Sequence, residues 1–195
     1  MPKEDVKDPL DYLPSNTGQG TAFFCNTDFA EIIDIVKNLE TKKSCGYDTI
    51  TNRVVKETSY IIAPYLEKLF NICLSDGVFP DCFKIAKVTP LFKGGSKQDP
   101  NSYRPIALLP CIGKVFERII STRLLSFLEK YDILSEHQFG FRKHYSTNHA
   151  LVSIVEHIKQ NLDNNKFTCG VFVDLEKAFN TVNHEILIKN LNTTE

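Results

Sequence analysis

The segment between residues 111 and 131 carries an unbroken apolar stripe with helical spacing, and this stripe restricts the fold more than any other feature. Its apolar side chains recur every three or four residues, as on one buried face of an α-helix: Ile112, Val115, Phe116, Ile119, Ile120, Leu124, Phe127, Leu128 and Tyr131. A helix of about six turns with one apolar face must pack against other apolar elements. The sequence therefore predicts a helical layer around this segment.

Further helices and one hairpin are predicted around it. Thr27 or Asp28 begins a first helix with an inward face of Phe29, Ile32, Ile33, Val36 and Leu39. Helices are also expected near 51–57, 59–75 and 146–163, and from residue 183 onward. In the helix at 146–163 the inward residues are Leu151, Ile154, Val155, Ile158 and Leu162.

Extended segments alternate with these helices. Residues 85–92 and 103–109 are predicted to pair as a hairpin with a flexible basic tip, and residues 167–174, "FTCGVFVD", are predicted to form a strand. The Pro-, Asn- and Gly-rich residues 1–26 are expected to be a linker or tail. The fold class is therefore α+β.

Composition predicts a globular protein with a core of useful size. Apolar residues make up 42% of the 195 residues and charged residues 24%. No apolar run approaches the ~18 residues of a transmembrane helix, and the first residues lack the apolar core of a secretory signal. The six cysteines are scattered without a C-x-x-C pair, which argues against a disulfide framework or a zinc site. We therefore expect an intracellular protein without membrane contact; nothing distinguishes cytoplasm from nucleus.

Positive charge is concentrated in the middle of the chain. The net charge of the whole chain is −1, but it is −5 over residues 1–83, +6 over residues 84–123 and −2 over residues 124–195. A basic central segment is where contact with a polyanion is expected. Arg118 and Arg123 are instead expected on the solvated face of the long helix.

Asp174 follows the apolar run at 167–173, at the point where the predicted strand gives way to a turn. A carboxylate at the rim of a sheet is suited to a hard cation such as Mg²⁺, which prefers oxygen ligands and substrate phosphates. The same local pattern occurs in many α/β folds. On the residues alone, Asp174 is therefore either a metal ligand or an ordinary acidic residue at the end of a strand.

Two further groups of residues are candidates for ligand contact. Lys93 and Arg104 lie on the two extended segments and could converge on one phosphate-rich ligand, or could both be solvated. In "QFGFR", residues 138–142, two phenylalanines flank Gly140. They are either partners for nucleic-acid bases or buried anchors of a loop.

The order of these motifs resembles the reverse transcriptases of non-LTR retrotransposons, with group II intron enzymes as more distant relatives. The resemblance rests on "NSYRPIALLPCIGKVFERII", on "QFGFR" followed by "ST" and "AL", and on "VFVDLEKAFNTVNHEIL". Upstream, "KKSCGYDTI" and "LFNICLSDGVFPDCFKIAKVTPLFKGG" look like the segment that precedes the fingers in the same family. The resemblance as a whole covers roughly residues 28–195.

The resemblance implies a role for each candidate residue. Asp174 would be the first catalytic aspartate and, with the backbone carbonyl of Leu175, a ligand of Mg²⁺. Phe179 would be the steric gate beneath the deoxynucleotide sugar. Further roles follow for the remaining motif residues: Lys93 and Arg104 would grip the triphosphate, and Gln138, Gly140 and Arg142 would lie near the template.

It also implies an incomplete right-hand polymerase. Residues 27–165 would belong to the fingers and residues 166–195 to the start of the palm, which stops before the Y/F-x-D-D motif. The complete enzyme would use Mg²⁺, an RNA template, a DNA primer and deoxynucleotides, together with the rest of the palm and a thumb. This chain contains no Asp-Asp pair, so we expect a fragment without polymerase activity of its own.

Two local departures from the family pattern accompany this absence. Asn180 stands where the family usually has aspartate after "KAF", which removes a charge beside the predicted site. Cys45 and Thr49 depart from the commoner S-P-G-x-D-G form.

Alternatives remain open at this point. The basic segment 84–123 could hold RNA without chemistry, as a non-catalytic remnant or domesticated module. The chain could also be a gene-model remnant without a stable product. An unrelated βαβ protein with an acidic residue at a strand end is a further rival, which a doubly wound parallel sheet would identify.

Overall fold

The computed structural model describes residues 25–175, 178–179 and 181–192. In chain order its elements are α1 (Phe29–Lys37), α2 (Asn52–Glu57), α3 (Ser59–Asp76), α4 (Asp81–Lys84), β1 (Lys87–Phe92), a 3₁₀ turn (Pro100–Ser102), β2 (Tyr103–Leu108), α5 (Cys111–Lys130), α6 (Thr147–Asp163) and α7 (His184–Asn192). The predicted tail therefore lies outside the described residues, apart from Cys25 and Asn26, and so does Asn180. None of the helices described is both long and apolar enough to cross a bilayer.

The helices begin where the sequence predicts them to begin. The Asp28 carboxylate accepts a hydrogen bond from the backbone N–H of Glu31 at 2.8 Å, and the Thr51 hydroxyl accepts one from Val54 N–H at 3.3 Å. Each cap satisfies one of the backbone donors that a helix leaves unpaired in its first turn. The predicted helices at 51–57, 59–75, 111–131, 146–163 and from 183 are confirmed within a residue or two.

The described residues fall into two compact units, one within Ala22–Phe127 and the other within Leu128–Glu195. The first unit has a core contributed by helices α1 to α5: Ile32, Ile33, Val36, Val55, Ala63, Leu66, Phe70, Cys73, Phe83, Cys111, Val115, Phe116 and Ile119. Phe116 stacks on Phe70 and Phe79 at ring-centroid distances of 4.8 and 5.3 Å. The apolar stripe of α5 is thus buried from Val115 to Ile119, as its spacing predicts.

Arg123 corrects one expectation from the sequence. Its side chain is only 10% exposed and pairs with Glu31 of α1, so it is not on the solvated face of α5. Both guanidinium Nη atoms donate to the Glu31 carboxylate at 2.8 Å, and the remaining donors reach the carbonyl oxygens of Cys25, Asn26 and Ile119. A buried guanidinium has five N–H donors to satisfy, and here all five have acceptors. Helical periodicity identifies a polar position but not the carboxylate that covers it.

The stretch that leads into α1 is held from a second side. The side chain of Asn71 in α3 exchanges two hydrogen bonds with the backbone of Thr27, at 2.8 and 2.9 Å. The Thr27 hydroxyl also donates to Glu31 at 2.6 Å. The start of α1 is therefore fixed to both α3 and α5.

Strands β1 and β2 form an antiparallel hairpin, which confirms the predicted pairing. The register sets three facing pairs near the tip: Pro90 with Pro105, Leu91 with Arg104, and Phe92 with Tyr103. The Lys93 N–H donates to the carbonyl oxygen of Ser102 at 2.8 Å, which continues the pairing by one residue. The sheet of the described residues has these two strands, so the doubly wound parallel sheet of the rival reading is not found among them.

The tip of the hairpin depends on two glycines. Gly94 and Gly95 have φ values of 116° and 98°, which residues with a side chain rarely adopt. A Cβ on Gly95 would also approach the Ser102 hydroxyl oxygen at 2.8 Å. The conformation of the tip between Lys93 and Ser102 therefore requires glycine at positions 94 and 95.

Two expectations for the second unit are wrong. Residues 167–174 do not form a strand, and Val171, Phe172 and Val173 are exposed. A strand needs a partner for its backbone hydrogen bonds, and no described strand pairs with this segment. Helix α6 forms as predicted, but its apolar residues are exposed and none of its residues is buried. The apolar spacing therefore predicted the helix α6 correctly and the strand at 167–174 wrongly. The burial expected for both segments is not found.

Gly46 lies in the turn after α1 and is packed against the backbone that leads into α5. A Cβ at this position would lie 2.7 Å from the backbone nitrogen of Pro110 and 2.8 Å from the carbonyl carbon of Leu109. Backbone atoms cannot move aside as a flexible side chain can. The turn that contains Gly46 therefore requires glycine for the close approach of these backbone atoms.

Replacing Glu31 with glutamine is expected to reduce the pH dependence of stability. The hydrogen bond from Arg123 lowers the pKa of Glu31 below its usual range, with further help from the Thr27 hydroxyl and against the effect of burial. Because folding lowers this pKa, the contribution of the ionised carboxylate is present at neutral pH and is lost as the pH falls below ~4. At neutral pH, E31Q is expected to cost about 1.5–3 kcal/mol of unfolding free energy.

Urea unfolding followed by far-UV circular dichroism at several pH values measures both effects. The wild-type and E31Q curves should converge as the pH is lowered. A constant difference between them across the acidic range would contradict the assignment.

Replacing Gly46 with alanine is expected to destabilise the first unit by about 1–3 kcal/mol, because the added methyl group overlaps backbone atoms. The matched control is S44A, two residues earlier on an exposed position of the same turn, for which a change within about 0.5 kcal/mol is expected. Equal thermal midpoints for G46A and S44A would show that the turn can relax around the methyl group.

Candidate functional site

The hairpin brings together the two cations that the sequence selects. Side chains alternate between the two faces of a strand, so Lys93 shares a face with Leu91, which lies opposite Arg104. Lys93 and Arg104 are thus diagonal neighbours, a relation in which residues are about 7–8 Å apart and long side chains can meet. Both side chains are exposed. Their positions allow two donors to contact one anionic group.

The other face of the hairpin carries aromatic rings. Phe92 and Tyr103 face each other with ring centroids 5.4 Å apart and planes inclined by 57°. The Tyr103 hydroxyl donates to the carbonyl oxygen of Lys97 at 3.0 Å, which fastens the tip to β2. Sequence reasoning missed this pair. Once the hairpin is assumed, the period of two places both rings on the face opposite to Lys93, and this signal was available.

The QFGFR loop of the second unit is held by contacts of its own. Gln138 Nε2 donates to the Gly140 carbonyl oxygen at 3.3 Å, and Arg142 Nη1 donates to the Ser135 carbonyl oxygen at 2.9 Å. The Arg142 guanidinium also lies 4.8 Å from the centroid of the Tyr145 ring. Arg142 therefore has a loop-closing role in this structure, whatever else it contacts.

Glycine at position 140 is not explained by local crowding. A Cβ there would meet no atom within 4 Å, and the left-handed conformation in this loop belongs instead to Phe141, with φ at 58°. An aromatic residue in that conformation costs about 1–2 kcal/mol. The loop therefore presents the Phe141 ring in a constrained position with 90% of the residue exposed.

Phe179 contacts this loop. Its ring meets the Phe141 ring edge-on, with centroids 5.5 Å apart and an interplanar angle of 90°. The geometry is one that aromatic pairs prefer. The structure thus joins the predicted gate residue to the loop predicted to lie near the template.

Asp174 and Leu175 lie in the irregular segment that precedes Phe179, and both are exposed. Within the described residues no group of three or more His, Cys, Asp or Glu side chains is placed to hold a metal ion. Mg²⁺ takes about six oxygen ligands, and Asp174 with one backbone carbonyl would supply two. The described residues therefore do not form a metal centre by themselves.

Lys93 and Arg104 belong to the first unit, and Asp174 and Phe179 belong to the second. The cleft predicted to be shared by these four residues stays a prediction. The first unit has two surface depressions of about 630 and 560 Å³, the first lined mainly by α3 and the second by α1, the turn after it, α2 and α5. Neither is lined by a predicted site residue.

Comparison with known proteins gives one consistent result. Residues 95–195, more than half of the chain, match the family model described as reverse transcriptase (RNA-dependent DNA polymerase). This segment contains Arg104, the QFGFR loop, Asp174 and Phe179, whereas Lys93 lies just before it.

Relatives from insect mobile elements match over most of the chain. The protein named "Probable RNA-directed DNA polymerase from transposon BS" of Drosophila melanogaster is 36% identical over 162 residues, which is 83% of this chain and 18% of the relative. The RNA-directed DNA polymerase from mobile element jockey of the same species is 33% identical over 159 residues, 81% of this chain and 17% of the relative. The Pol polyprotein from retrotransposable element R1 of Bradysia coprophila is 33% identical over 154 residues, 78% of this chain and 15% of the relative.

The chain thus spans less than a fifth of the length of these relatives. The family match and the relatives agree with each other and with the order of the motifs. This chain belongs to the reverse transcriptase family.

Proposed function

We propose that this chain supplies part of the fingers and the start of the palm of a right-hand RNA-directed DNA polymerase of the non-LTR retrotransposon class. The observation that carries the proposal is the placement of Lys93 and Arg104 as diagonal neighbours on one face of an exposed hairpin. Two cations at that spacing suit the oxygens of a triphosphate, since arginine offers a planar fork and lysine a mobile charge.

The remaining site residues complete the proposal. Asp174 and the Leu175 carbonyl are proposed to face the reacting phosphates, and Phe179 to lie beneath the sugar. The contact between Phe179 and Phe141 supports this role, because a ring that excludes a 2′-hydroxyl must itself be held in place. Gln138, Gly140 and Arg142 are proposed to lie near the RNA template, as parts of the same loop.

The chain by itself is proposed to lack polymerase activity. In-line phosphoryl transfer depends on several carboxylates that act together. Among the described residues Asp174 belongs to no group of three or more His, Cys, Asp or Glu side chains placed to hold a metal ion, and the sequence contains no Asp-Asp pair. We therefore propose that polymerase activity on an RNA template and a DNA primer requires a longer polypeptide or an assembly.

Removal of the Lys93 and Arg104 charges together is expected to weaken nucleotide binding. Isothermal titration of the 195-residue chain with dGTP should show binding that weakens at least tenfold in the double variant K93Q/R104Q, because each charged hydrogen bond contributes about 1.5–3 kcal/mol. The charge-matched control is K42Q/K68Q, which removes two exposed lysines outside the hairpin. Equal dGTP affinities for the double variant and the wild type would rule out the triphosphate role.

Primer extension tests the expected inactivity. The purified chain, supplied with an RNA template, a DNA primer, deoxynucleotides and Mg²⁺, should leave the primer unextended. Extension that is lost in D174A would show that the carboxylates present are sufficient and would refute the proposal of an incomplete site.

A second candidate is a module that binds RNA without chemistry. The observation in its favour is the charge of the exposed hairpin, where residues 87–108 contain four cations and one acidic residue. It predicts RNA binding that weakens with salt and needs no Mg²⁺. RNA binding without dGTP binding would favour this candidate over the first.

A further inference from the structure

The face of the hairpin that carries Phe92 and Tyr103 has a composition unlike that of the cationic face. Beyond the two rings it presents the facing prolines Pro90 and Pro105, and Val88 lies on the same face by alternation. Phe92 is 42% exposed and Tyr103 is half-buried, while Val88, Pro90 and Pro105 are exposed. Apolar and aromatic groups thus form a continuous surface open to solvent within the first unit.

The two rings are held in place before any ligand arrives. They sit directly opposite each other on paired strands, and the contact between them restrains both side chains. The hydrogen bond from the Tyr103 hydroxyl to Lys97 fixes the second ring from its far end. Binding to such a surface loses little side-chain freedom, which favours affinity.

The charges around these rings identify the class of ligand. Residues 87–108 contain Lys87, Lys93, Lys97 and Arg104 against a single acidic residue, Asp99. The Asp99 carboxylate already accepts a hydrogen bond from Asn101 N–H at 2.9 Å. A ligand that suits this hairpin is therefore anionic and also carries flat apolar groups.

Single-stranded nucleic acid has both properties. Its phosphates can contact the cations while its unpaired bases stack on aromatic rings, whereas a duplex keeps its bases within the helix. A protein partner could cover the apolar face, but the four cations would contribute to its binding only if its surface were acidic.

We propose that Phe92 and Tyr103 form a stacking platform for the bases of single-stranded nucleic acid, on the side of the hairpin opposite to Lys93 and Arg104. The proposal rests on the proposed function in taking nucleic acid as the substrate. It assigns the two faces separate tasks: charge contact on one and base contact on the other.

Fluorescence anisotropy of the 195-residue chain with a short dye-labelled single-stranded RNA tests the platform. F92L and Y103L should each weaken binding by about tenfold, because one base–aromatic stack contributes about 1–3 kcal/mol. Y103F is the matched control, since it keeps the ring and loses only the hydroxyl that restrains it, and it should lose clearly less affinity than Y103L. The salt dependence should be unchanged in the leucine variants and shallower in K93Q.

A second ligand separates base contact from damage to the hairpin. An abasic oligomer of equal length keeps the phosphates and lacks the bases, so the wild type, F92L and Y103L should bind it equally. Circular dichroism and thermal melting confirm that the variants are folded.

Several results would overturn the platform. Leucine variants that bind RNA as tightly as the wild type would do so, as would leucine variants that lose affinity for RNA and the abasic oligomer alike. A loss of self-association in sedimentation experiments, with RNA affinity unchanged, would assign this face to protein contact instead. Absence of RNA binding by the wild type at low salt would overturn both the platform and the RNA-binding module, whereas dGTP binding tests the nucleotide site independently.

Discussion

The first unit depends on the pairing of Arg123 with Glu31. This interaction ties α5, the helix with the long apolar stripe, to α1 and to the backbone of Cys25 and Asn26 upstream of α1. Its side chains are 10% and 29% exposed, so the charges lie largely out of water and their attraction is weakly screened. Five acceptors around one guanidinium offset the loss of hydration. The hydrogen bonds between Asn71 and Thr27 then add α3, so that one group of polar contacts joins α1, α3 and α5.

The two units differ in how much of their apolar surface is covered. In the first unit the residues of α1, α3 and α5 bury one another, and the hairpin extends from this core with both faces open. In the second unit α6 and the segment up to Asp174 expose their apolar side chains. Residues that carry ligand contact in the proposal lie on the uncovered parts of both units. None of the residues proposed to contact a ligand belongs to the buried core of the first unit.

Local patterns in the sequence were sufficient for most of the elements. Asp28 and Thr51 are helix caps that act within three residues, and the spacing of Val115, Phe116 and Ile119 reports one helix face. The predictions that were wrong concern features that depend on residues distant in the sequence. The pairing of Arg123 needs a carboxylate 92 positions away, and a strand at 167–174 needs a partner strand. Of the site, the sequence predicted the hairpin that joins Lys93 to Arg104, but not the contact of Phe179 with Phe141 or the aromatic face.

The facing prolines of the hairpin have a consequence for solubility. Lys93 N–H points toward the partner strand, and backbone donors alternate in direction along a strand, so the nitrogens of Pro90 and Pro105 point outward. Proline has no N–H, and each outer edge therefore lacks a donor at this point while the bonds between the strands are kept. A free edge with a regular row of donors would recruit further strands and aggregate. The paired prolines interrupt that row on both sides, so a two-stranded ribbon with one apolar face is a poor template for the addition of further strands.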